Sequence, residues 1–186
     1  MKGSLNLTGH IIVAQPKGID SIFSKGVILV AKHNAEGAWG VMINKPTNKV
    51  NLGQVMRSTG IDSQSNESIF VGGPVDTHRI HIVHTLDWRS PNTVLVTPEI
   101  GITSEMSAMA AISAGSGPNL YRVCVGLCGW GAGQLEGEYK GLPPWKPEHR
   151  WLDAPASIEA VFDTSNDTQW EKCIDIVASS KVSDWL

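Results

Sequence analysis

The feature that most constrains this chain is a run of glycines that follows an apolar segment, within Tyr121–Glu138. Val123–Leu127 is apolar and predicts a buried strand, which the glycines end. The sequence then becomes helical, with Leu135 and Tyr139 four apart, the spacing of residues that face a core. A strand that passes through glycines into a helix exposes backbone N–H groups at the helix start, where polar ligands bind. The stretch therefore predicts a candidate cleft but no particular reaction.

Three side chains beside this junction are the first candidates for a binding site. Trp130, Gln134 and Glu138 are also spaced four apart and would share one helix face. Carboxylates near a helix start are favoured by the helix dipole. Because it lies beside a tryptophan and an amide, Glu138 is the carboxylate that we favour for a functional role.

Apolar runs and turn residues divide the rest of the chain into short strands and a few helices. Strands are predicted at His10–Gln15, Gly26–Lys32, Ala38–Asn44, Ile69–Val71, Arg79–Thr85, Thr93–Thr97 and Ile158–Phe162. Helices are predicted after the capping residues Asn51, Thr103 or Ser104, and Asp167. Gly141–Arg150 contains three prolines and predicts an irregular loop. Since hairpins dominate the first half and helices come later, we expect an α+β fold with a mixed, largely antiparallel sheet.

The composition is typical of a globular protein, and we expect one domain over residues 1–186. The net charge is −3 and the basic residues are scattered, so direct binding of nucleic acid is not expected. No apolar run approaches the ~20 residues of a membrane span, and the first residues lack a signal-peptide core. We therefore expect a cytoplasmic protein with no membrane partner. Neither G-x-G-x-x-G nor a P-loop is present, and no cofactor is expected.

The cysteines number three, which is an odd count. If Cys124 and Cys128 share one face of a strand, they lie roughly 13 Å apart, beyond the reach of a disulfide. Together with Cys173 they are expected to be free, reduced and mostly buried thiols.

Several motifs resemble those of one bacterial family. They are His33…Gly37-Ala38…Gly40…Asn44-Lys45-Pro46, Gly72-Gly73-Pro74-Val75, His84, and Gly126…Gly129-Trp130-Gly131…Gly133-Gln134-Leu135-Glu136…Glu138. In order and spacing they resemble the AlgH/YqgE family, over nearly the whole chain. Leu127-Cys128 stands where that family tends to have Tyr-Ala, and Gly141–Arg150 looks like an insertion.

The resemblance implies an α+β fold whose sheet curls into a pseudo-barrel flanked by helices. It also implies a cytosolic bacterial protein with no established activity. The family name reflects a proposed part in controlling alginate production, which does not establish DNA binding. If the cleft of the family lies beside the insertion, its mouth differs in this chain.

The motif residues define a candidate cleft at the ends of strands, where functional groups collect in mixed sheets. Its expected residues are Asn44, Gly72, Gly73, His84, Trp130, Gln134 and Glu138. We expect Gln134 and Glu138 to be exposed, with Leu135 and Tyr139 buried behind them. Structural roles are also open: two glycines suit a demanding turn, and Asn44 or His33 can satisfy local backbone.

A metal site is not expected from the histidines. His78, His81 and His84 are three apart, so on a strand the middle one points away from the other two.

Three functions stay open at this point. The preferred one is a regulatory or interaction protein that binds a small ligand or a peptide in the cleft, because signatures of nucleophiles, metals and cofactors are missing. The alternative is a hydrolase-like enzyme that uses His84 or Glu138. A transcriptional regulator that binds DNA directly is less favoured, since there is no basic patch or helix-turn-helix pattern.

Overall fold

The computed structural model describes residues 4–16, 21–145, 150–163 and 167–183. The strands are β1 His10–Ala14, β2 Val27–Asn34, β3 Gly37–Met42, β4 Pro46–Asn51, β5 Ser68–Val71, β6 Val75–Thr85, β7 Val94–Leu95, β8 Ile100–Thr103, β9 Tyr121–Gly131 and β10 Trp151–Pro155. The helices are α1 Leu52–Ser58, α2 Met106–Ser113, α3 Gln134–Lys140, α4 Ile158–Phe162 and α5 Gln169–Ser183. In these residues no helix is long and apolar enough to cross a membrane.

Strand β9 organises the sheet, because it is hydrogen-bonded to three other strands. It pairs antiparallel with β3 and β6 and parallel with β5. The main path of the sheet runs β10-β1-β2-β3-β9-β6-β8-β7, and β4 pairs with β5 beside it. The fold is therefore α+β with a mixed, largely antiparallel sheet, as predicted. The sheet stays open, with β10 at one end of the path and β7 at the other.

The second and third strands form one of the hairpins expected in the first half of the chain. The β2–β3 pair turns through Ala35-Glu36, and the side chain of Asn34 accepts a hydrogen bond from the N–H of Glu36 at 2.9 Å. Gly37 follows with φ +137°, and a Cβ there would lie 2.3 Å from the carbonyl oxygen of Trp130. Only glycine lets this turn approach the end of β9 so closely.

The sheet carries apolar residues on both faces. On one face, Ile11 and Val13 of β1 pack with buried residues of α4 and α5. On the other, Ile12 and Ala14 pack with Leu135 of α3. A third cluster lies beneath α1 and α2. Both faces of β1 and β2 are covered, which explains why their sequences are almost continuously apolar.

The two cysteines of β9 lie in different clusters, contrary to the prediction of a shared face. Cys124 packs on the side of α4 and α5, whereas Cys128 packs on the side of α3. Between them Gly126 has φ +81°, which interrupts the alternation of the strand. Both, like Cys173, are free buried thiols.

Some predicted elements are wrong in type or extent. Ile158–Phe162 is helix α4 and not a strand, and the hydroxyl of its N-cap Ser157 accepts from the N–H of Ala160 at 3.1 Å. A short apolar run does not separate helix from strand by its pattern. Strand β10 before it was not predicted. The helix expected after Thr103 or Ser104 begins later: Thr103 lies in β8, and α2 starts at Met106 with Glu105 as its N-cap. Strand β4 was also missed, since Pro46 begins it.

The helix starts that rest on side-chain caps follow the sequence more closely. Asn51 caps α1, where its side chain and that of Gln54 each accept a backbone N–H at 2.9 Å. Helix α5 begins at Gln169, so the residue directly before it is Thr168 and not the predicted cap Asp167. Residues 146–149 of the predicted proline-rich loop lie outside the described residues, and residues 141–145 contain no helix or strand.

Candidate functional site

A cavity of about 450 Å³ lies where β9 turns into α3. Aromatic rings form much of its wall, and polar groups come from the helix and from the segment before β10. The rings belong to Phe23, Trp130, Trp145 and Trp151, and the polar side chains include Gln134, Glu138 and Arg150. We call this space the aromatic cavity.

The carboxylate of Glu138 organises the wall of the aromatic cavity. Its Oε2 accepts hydrogen bonds from the indole N–H of Trp130 and of Trp151, each at 2.9 Å. Its Oε1 accepts from the side-chain amide of Gln134 at 2.9 Å. The amide oxygen of Gln134 in turn accepts from the N–H of Gly131 at 3.0 Å. This chain of bonds ties α3 to β9 and β10.

The rings pack edge to face, which fixes their orientation. The centroids of Trp130 and Trp151 are 6.4 Å apart with an interplanar angle of 83°. Phe23 meets Trp151 at 6.0 Å and 80°. Such T-shaped pairs are favoured by the ring quadrupoles. The cavity therefore has a wall whose rings are held by one another and by Glu138.

Trp145 reaches the cavity because helix α3 has a glycine beneath it. A Cβ at Gly137 would lie 2.1 Å from the six-membered ring of Trp145. The tryptophan ring therefore rests directly on the helix backbone. Trp145 and Arg150 both belong to the predicted proline-rich loop, so this loop contributes to the wall of the cavity.

The predicted cluster of Trp130, Gln134 and Glu138 does line one cavity, although for a different reason. Trp130 lies in β9, and α3 begins only at Gln134, after Gly133 in the left-handed conformation. The tryptophan is therefore joined to the helix by its hydrogen bond and not by helical spacing. Gln134 and Glu138 are half-buried and not fully exposed.

Of the two residues predicted to be buried behind the site, Leu135 is buried and Tyr139 is only partly buried. Leu135 is fully buried, and Tyr139 packs against the same cluster. The hydroxyl of Tyr139 donates to Asp153 at 2.7 Å.

Gly72 and Gly73 are not among the residues that line the aromatic cavity, contrary to expectation. A Cβ at Gly72 would lie 2.3 Å from the carbonyl oxygen of Gly126, and one at Gly73 would lie 2.2 Å from that of Leu127. The two glycines thus let the chain after β5 pass close to the backbone of β9. Their role is structural. The next residue, Pro74, does line the cavity.

Asn44 is not among the residues that line the cavity, and the expectation that it would is wrong. Its amide donates to the carbonyl of Lys25 and accepts from the N–H of Val27, both at 2.8 Å. The buried side chain thereby fixes the start of β2.

His84 is also outside the cavity, contrary to expectation. It pairs in register with Tyr121, at the opposite end of β9 from Trp130. Its side chain is fully buried, its Nδ1–H donates to the carbonyl of Thr85 at 2.9 Å, and its ring meets Trp88 edge-on. Burial lowers the pKa of His84, with smaller opposing effects from Thr85 and Asp87.

His33 points into the protein and not into a polar cleft. Its Nδ1 accepts a hydrogen bond from the N–H of Leu7 at 3.1 Å, and its Nε2 lies 3.1 Å from Oε1 of Glu136. The pair fastens the segment before β1 to helix α3.

Sequence reasoning missed Phe23 and Trp151 of the cavity. Trp151 begins β10, and without that strand nothing placed it beside Trp130. Phe23 precedes β2 in a segment without regular structure. Among the described residues, no group of three His, Cys, Asp or Glu side chains is arranged to hold a metal ion.

Comparison with known proteins identifies the family of the chain. The model of the AlgH-like family matches residues 11–180. A UPF0301 protein of Rhodospirillum rubrum is 35% identical over 162 residues, which cover 86% of this chain and 81% of the relative. A UPF0301 protein of Marinomonas is 34% identical over 165 residues, covering 87% and 84% of the two chains.

Solved structures show the same fold. The solution structure of the AlgH protein from Pseudomonas aeruginosa superposes with a TM-score of 0.74 at 28% identity, covering 93% of this chain and 89% of that one. The crystal structure of a Corynebacterium diphtheriae protein gives a TM-score of 0.71 at 19% identity, with coverage of 93% and 88%. With its sequence matched over most of its length and its fold shared, this chain belongs to the AlgH-like family.

Proposed function

We propose that this chain is a binding protein with a regulatory or interaction role, and that its aromatic cavity takes a small ligand or a peptide side chain. The observation that carries the proposal is the carboxylate of Glu138, which holds the rings of Trp130 and Trp151 around an open space of about 450 Å³. Pockets of this size that combine aromatic walls with a few fixed polar groups are typical of small-molecule sites.

The wall favours a ligand with a flat or branched apolar body. Rings that meet at nearly right angles offer both faces and edges to such a body. A ligand that fills the space displaces water from Trp130, Trp145 and Trp151, and the apolar area that it buries stabilises the complex.

The charge at the cavity favours an acidic group on the same ligand. Arg150 lines the cavity, and its Nε donates to the carbonyl of Tyr139 at 3.2 Å, which holds the guanidinium in place. A guanidinium pairs well with a carboxylate, sulfonate or phosphate. The only other charged side chain among the lining residues of the described structure, Glu138, already accepts three hydrogen bonds.

Binding is favoured over chemistry at this site. A catalytic carboxylate must be able to reach a substrate proton, whereas both oxygens of Glu138 are committed to Trp130, Trp151 and Gln134. His84, the other residue considered for a hydrolase, is not among the lining residues. Direct DNA binding is also disfavoured, because the net charge is −3 and the basic residues are scattered along the sequence.

A fluorescence titration with anilinonaphthalene sulfonate tests the proposal. This probe has the expected chemistry, an aromatic body with an anionic group. We expect saturable binding to one site in the folded protein. Replacement of the half-buried Trp145 by Ala removes part of the wall and is expected to weaken binding at least about tenfold, which corresponds to about 1.4 kcal/mol. Arg150→Ala is expected to weaken binding of the anionic probe but not binding of its uncharged parent, anilinonaphthalene.

Trp88→Ala is the matched control, because it removes a partly buried tryptophan that does not line the cavity. Near-ultraviolet circular dichroism verifies that each variant is folded, since the probe also binds loosened states. Equal affinity of Trp145→Ala and wild type would refute the proposal.

A further inference from the structure

A second cavity, of about 530 Å³, lies on the other side of β9. Leu127 of β9 lines it, whereas the next residue, Cys128, lines the aromatic cavity. Consecutive residues of a strand point to opposite faces, so the strand separates the two spaces. The second cavity is also lined by Trp39, Arg79, His81, Ser104 and Glu105.

Inside the second cavity a serine and a histidine are hydrogen-bonded. Oγ of Ser104 lies 3.0 Å from Nδ1 of His81. Ser104 is exposed between β8 and α2, while His81 is only 5% exposed on β6. A hydroxyl that is open to ligands and lies within hydrogen-bond reach of a buried imidazole matches the distance between nucleophile and base in an activated pair.

The second nitrogen of His81 has no acceptor among the described residues. Nε2 is buried and makes no hydrogen bond, although a buried polar atom without a partner costs about 1–3 kcal/mol. If Ser104 donates to Nδ1, the proton of the neutral imidazole is on Nε2. In this tautomer Nδ1 is the basic atom, and it already faces the hydroxyl.

The surroundings keep His81 neutral at physiological pH. Burial and the nearby Arg79 lower its pKa, and Asp76 raises it by a smaller amount. Glu105 approaches from the start of α2, and Cys124 is the register partner on β9, with a thiol whose pKa burial raises to about 12. A neutral imidazole is the form that can accept a proton.

We propose that Ser104 is a nucleophile toward small esters or thioesters of apolar acyl groups, with His81 as its general base. Oγ of Ser104 attacks the acyl carbon while its proton passes to Nδ1 of His81. The bond from the acyl carbon to the leaving oxygen or sulfur then breaks, and Nδ1 returns the proton to the leaving group. Water, activated by the same Nδ1, attacks the acyl-serine, releases the carboxylic acid and restores the hydroxyl.

The cavity suits a neutral substrate with an apolar acyl group. Trp39 and Leu127 provide apolar surface, and the opposite charges of Arg79 and Glu105 line the same space. Helix α2 begins at Met106, two residues after Ser104. The N–H of Ala108 donates to the carbonyl of Glu105 at 3.2 Å. The N–H groups of Met106 and Ser107 have no acceptor within the helix, and they are the donors proposed for an oxyanion formed at Ser104.

The test is the reaction of the whole protein with p-nitrophenyl butyrate. We expect release of p-nitrophenolate, and a mass gain of one butyryl group that peptide mapping assigns to Ser104. Ser104→Ala is expected to reduce the reaction to background, and His81→Gln to slow it about 100-fold, as for loss of a general base. The rate in the wild type is expected to rise with pH around a midpoint below ~6.5, the usual pKa of histidine.

Ser179→Ala is the matched control, because Ser179 is an exposed serine of α5 that does not line the second cavity. It is expected to react like the wild type. The proposal is overturned if Ser104→Ala reacts as fast as the wild type, or if the butyryl group is found only on lysines. It is also overturned if a folded His81→Gln variant keeps the wild-type rate. Should His81→Gln fail to fold, a wild-type rate without a midpoint below ~6.5 overturns it equally. None of these outcomes depends on the aromatic cavity.

Discussion

The indole N–H of Trp151 donates a hydrogen bond to Oε2 of Glu138 at 2.9 Å, which joins the edge strand β10 to helix α3. The same oxygen accepts from Trp130 of β9 at 2.9 Å. Because one carboxylate oxygen fixes rings from two strands, the shape of the aromatic cavity depends on Glu138.

Glu138→Gln is expected to lower the free energy of unfolding by about 1–3 kcal/mol. The amide that replaces the carboxylate has one accepting oxygen. If this oxygen faces the two indoles, the new NH₂ group at position 138 faces the NH₂ group of Gln134, and two donors meet. The amide of Gln134 cannot rotate to offer its oxygen without breaking the hydrogen bond from the N–H of Gly131. Urea denaturation measures the loss. Glu171→Gln, at an exposed carboxylate 3.7 Å from Lys25, is the control and should change stability by less than about 1 kcal/mol. Equal effects of the two substitutions would contradict the role of Glu138.

Gly137→Ala is expected to separate binding from stability. Alanine is the better helix former by about 1 kcal/mol, so α3 itself is not weakened. Its methyl group, however, occupies the place of the Trp145 ring, which lies 2.1 Å from the Cβ position. We expect thermal stability near that of the wild type and clearly weaker binding of anilinonaphthalene sulfonate. Gly131→Ala is the control, because a Cβ added at Gly131 would have its nearest atom, Oε1 of Gln134, 4.0 Å away. Undiminished binding by Gly137→Ala would argue against Trp145 as part of the site.

Asp153 is expected to make stability depend on pH. Burial alone raises its pKa, but the hydrogen bonds from His10 and Tyr139 and the charge of Lys181 outweigh burial and hold the pKa below the usual range. A carboxyl group with a lowered pKa stabilises the fold above its unfolded pKa of ~3.9, and this stability is lost as pH falls toward the folded value. Asp153→Asn should therefore cost stability at neutral pH and progressively less below about pH 4.

Urea denaturation of the wild type and Asp153→Asn over this range measures the difference. A difference that does not change with pH would show that the negative charge of Asp153 contributes nothing. Asp163→Asn, at an exposed carboxylate 3.7 Å from Lys172, serves as the control.

The three cysteines are expected to react slowly in the folded protein. Burial raises the pKa of Cys124 and Cys128 to about 12 and that of Cys173 to about 11, so little thiolate is present at neutral pH. An aromatic disulfide reagent should count three thiols after denaturation without reductant, and fewer than one on the same timescale before it. Rapid reaction in the native state, or a count of one after denaturation, would contradict this.

The sequence allowed the junction of β9 and α3 to be predicted, because its signals are local. The apolar run ends at glycines, and Gln134 and Glu138 are one helical turn apart wherever the helix lies. Capping by Asn51 was predictable for the same reason. In contrast, the pattern of Ile158–Phe162 fits a strand as well as a helix, because five residues are too few to show a period.

The rest of the site depends on which strand ends meet, and that is set by pairing between distant segments. Asn44 and His84 both end apolar strands, which made them candidates. The antiparallel register of β6 with β9 puts His84 beside Tyr121, far along the strand from Trp130. Trp151 joins Trp130 because β10 pairs with β1 at the edge of the sheet. No local pattern in the sequence contains this information.

The most direct test of ligand binding in the aromatic cavity is a nitrogen-proton NMR titration of the indole N–H signals with anilinonaphthalene sulfonate. The chain has seven tryptophans, and single Trp→Phe variants assign their signals. We predict saturable shifts of the signals of Trp130, Trp145 and Trp151, while those of Trp39 and Trp88 stay in place. Unchanged signals of the three cavity tryptophans at probe concentrations that saturate the fluorescence would contradict the account.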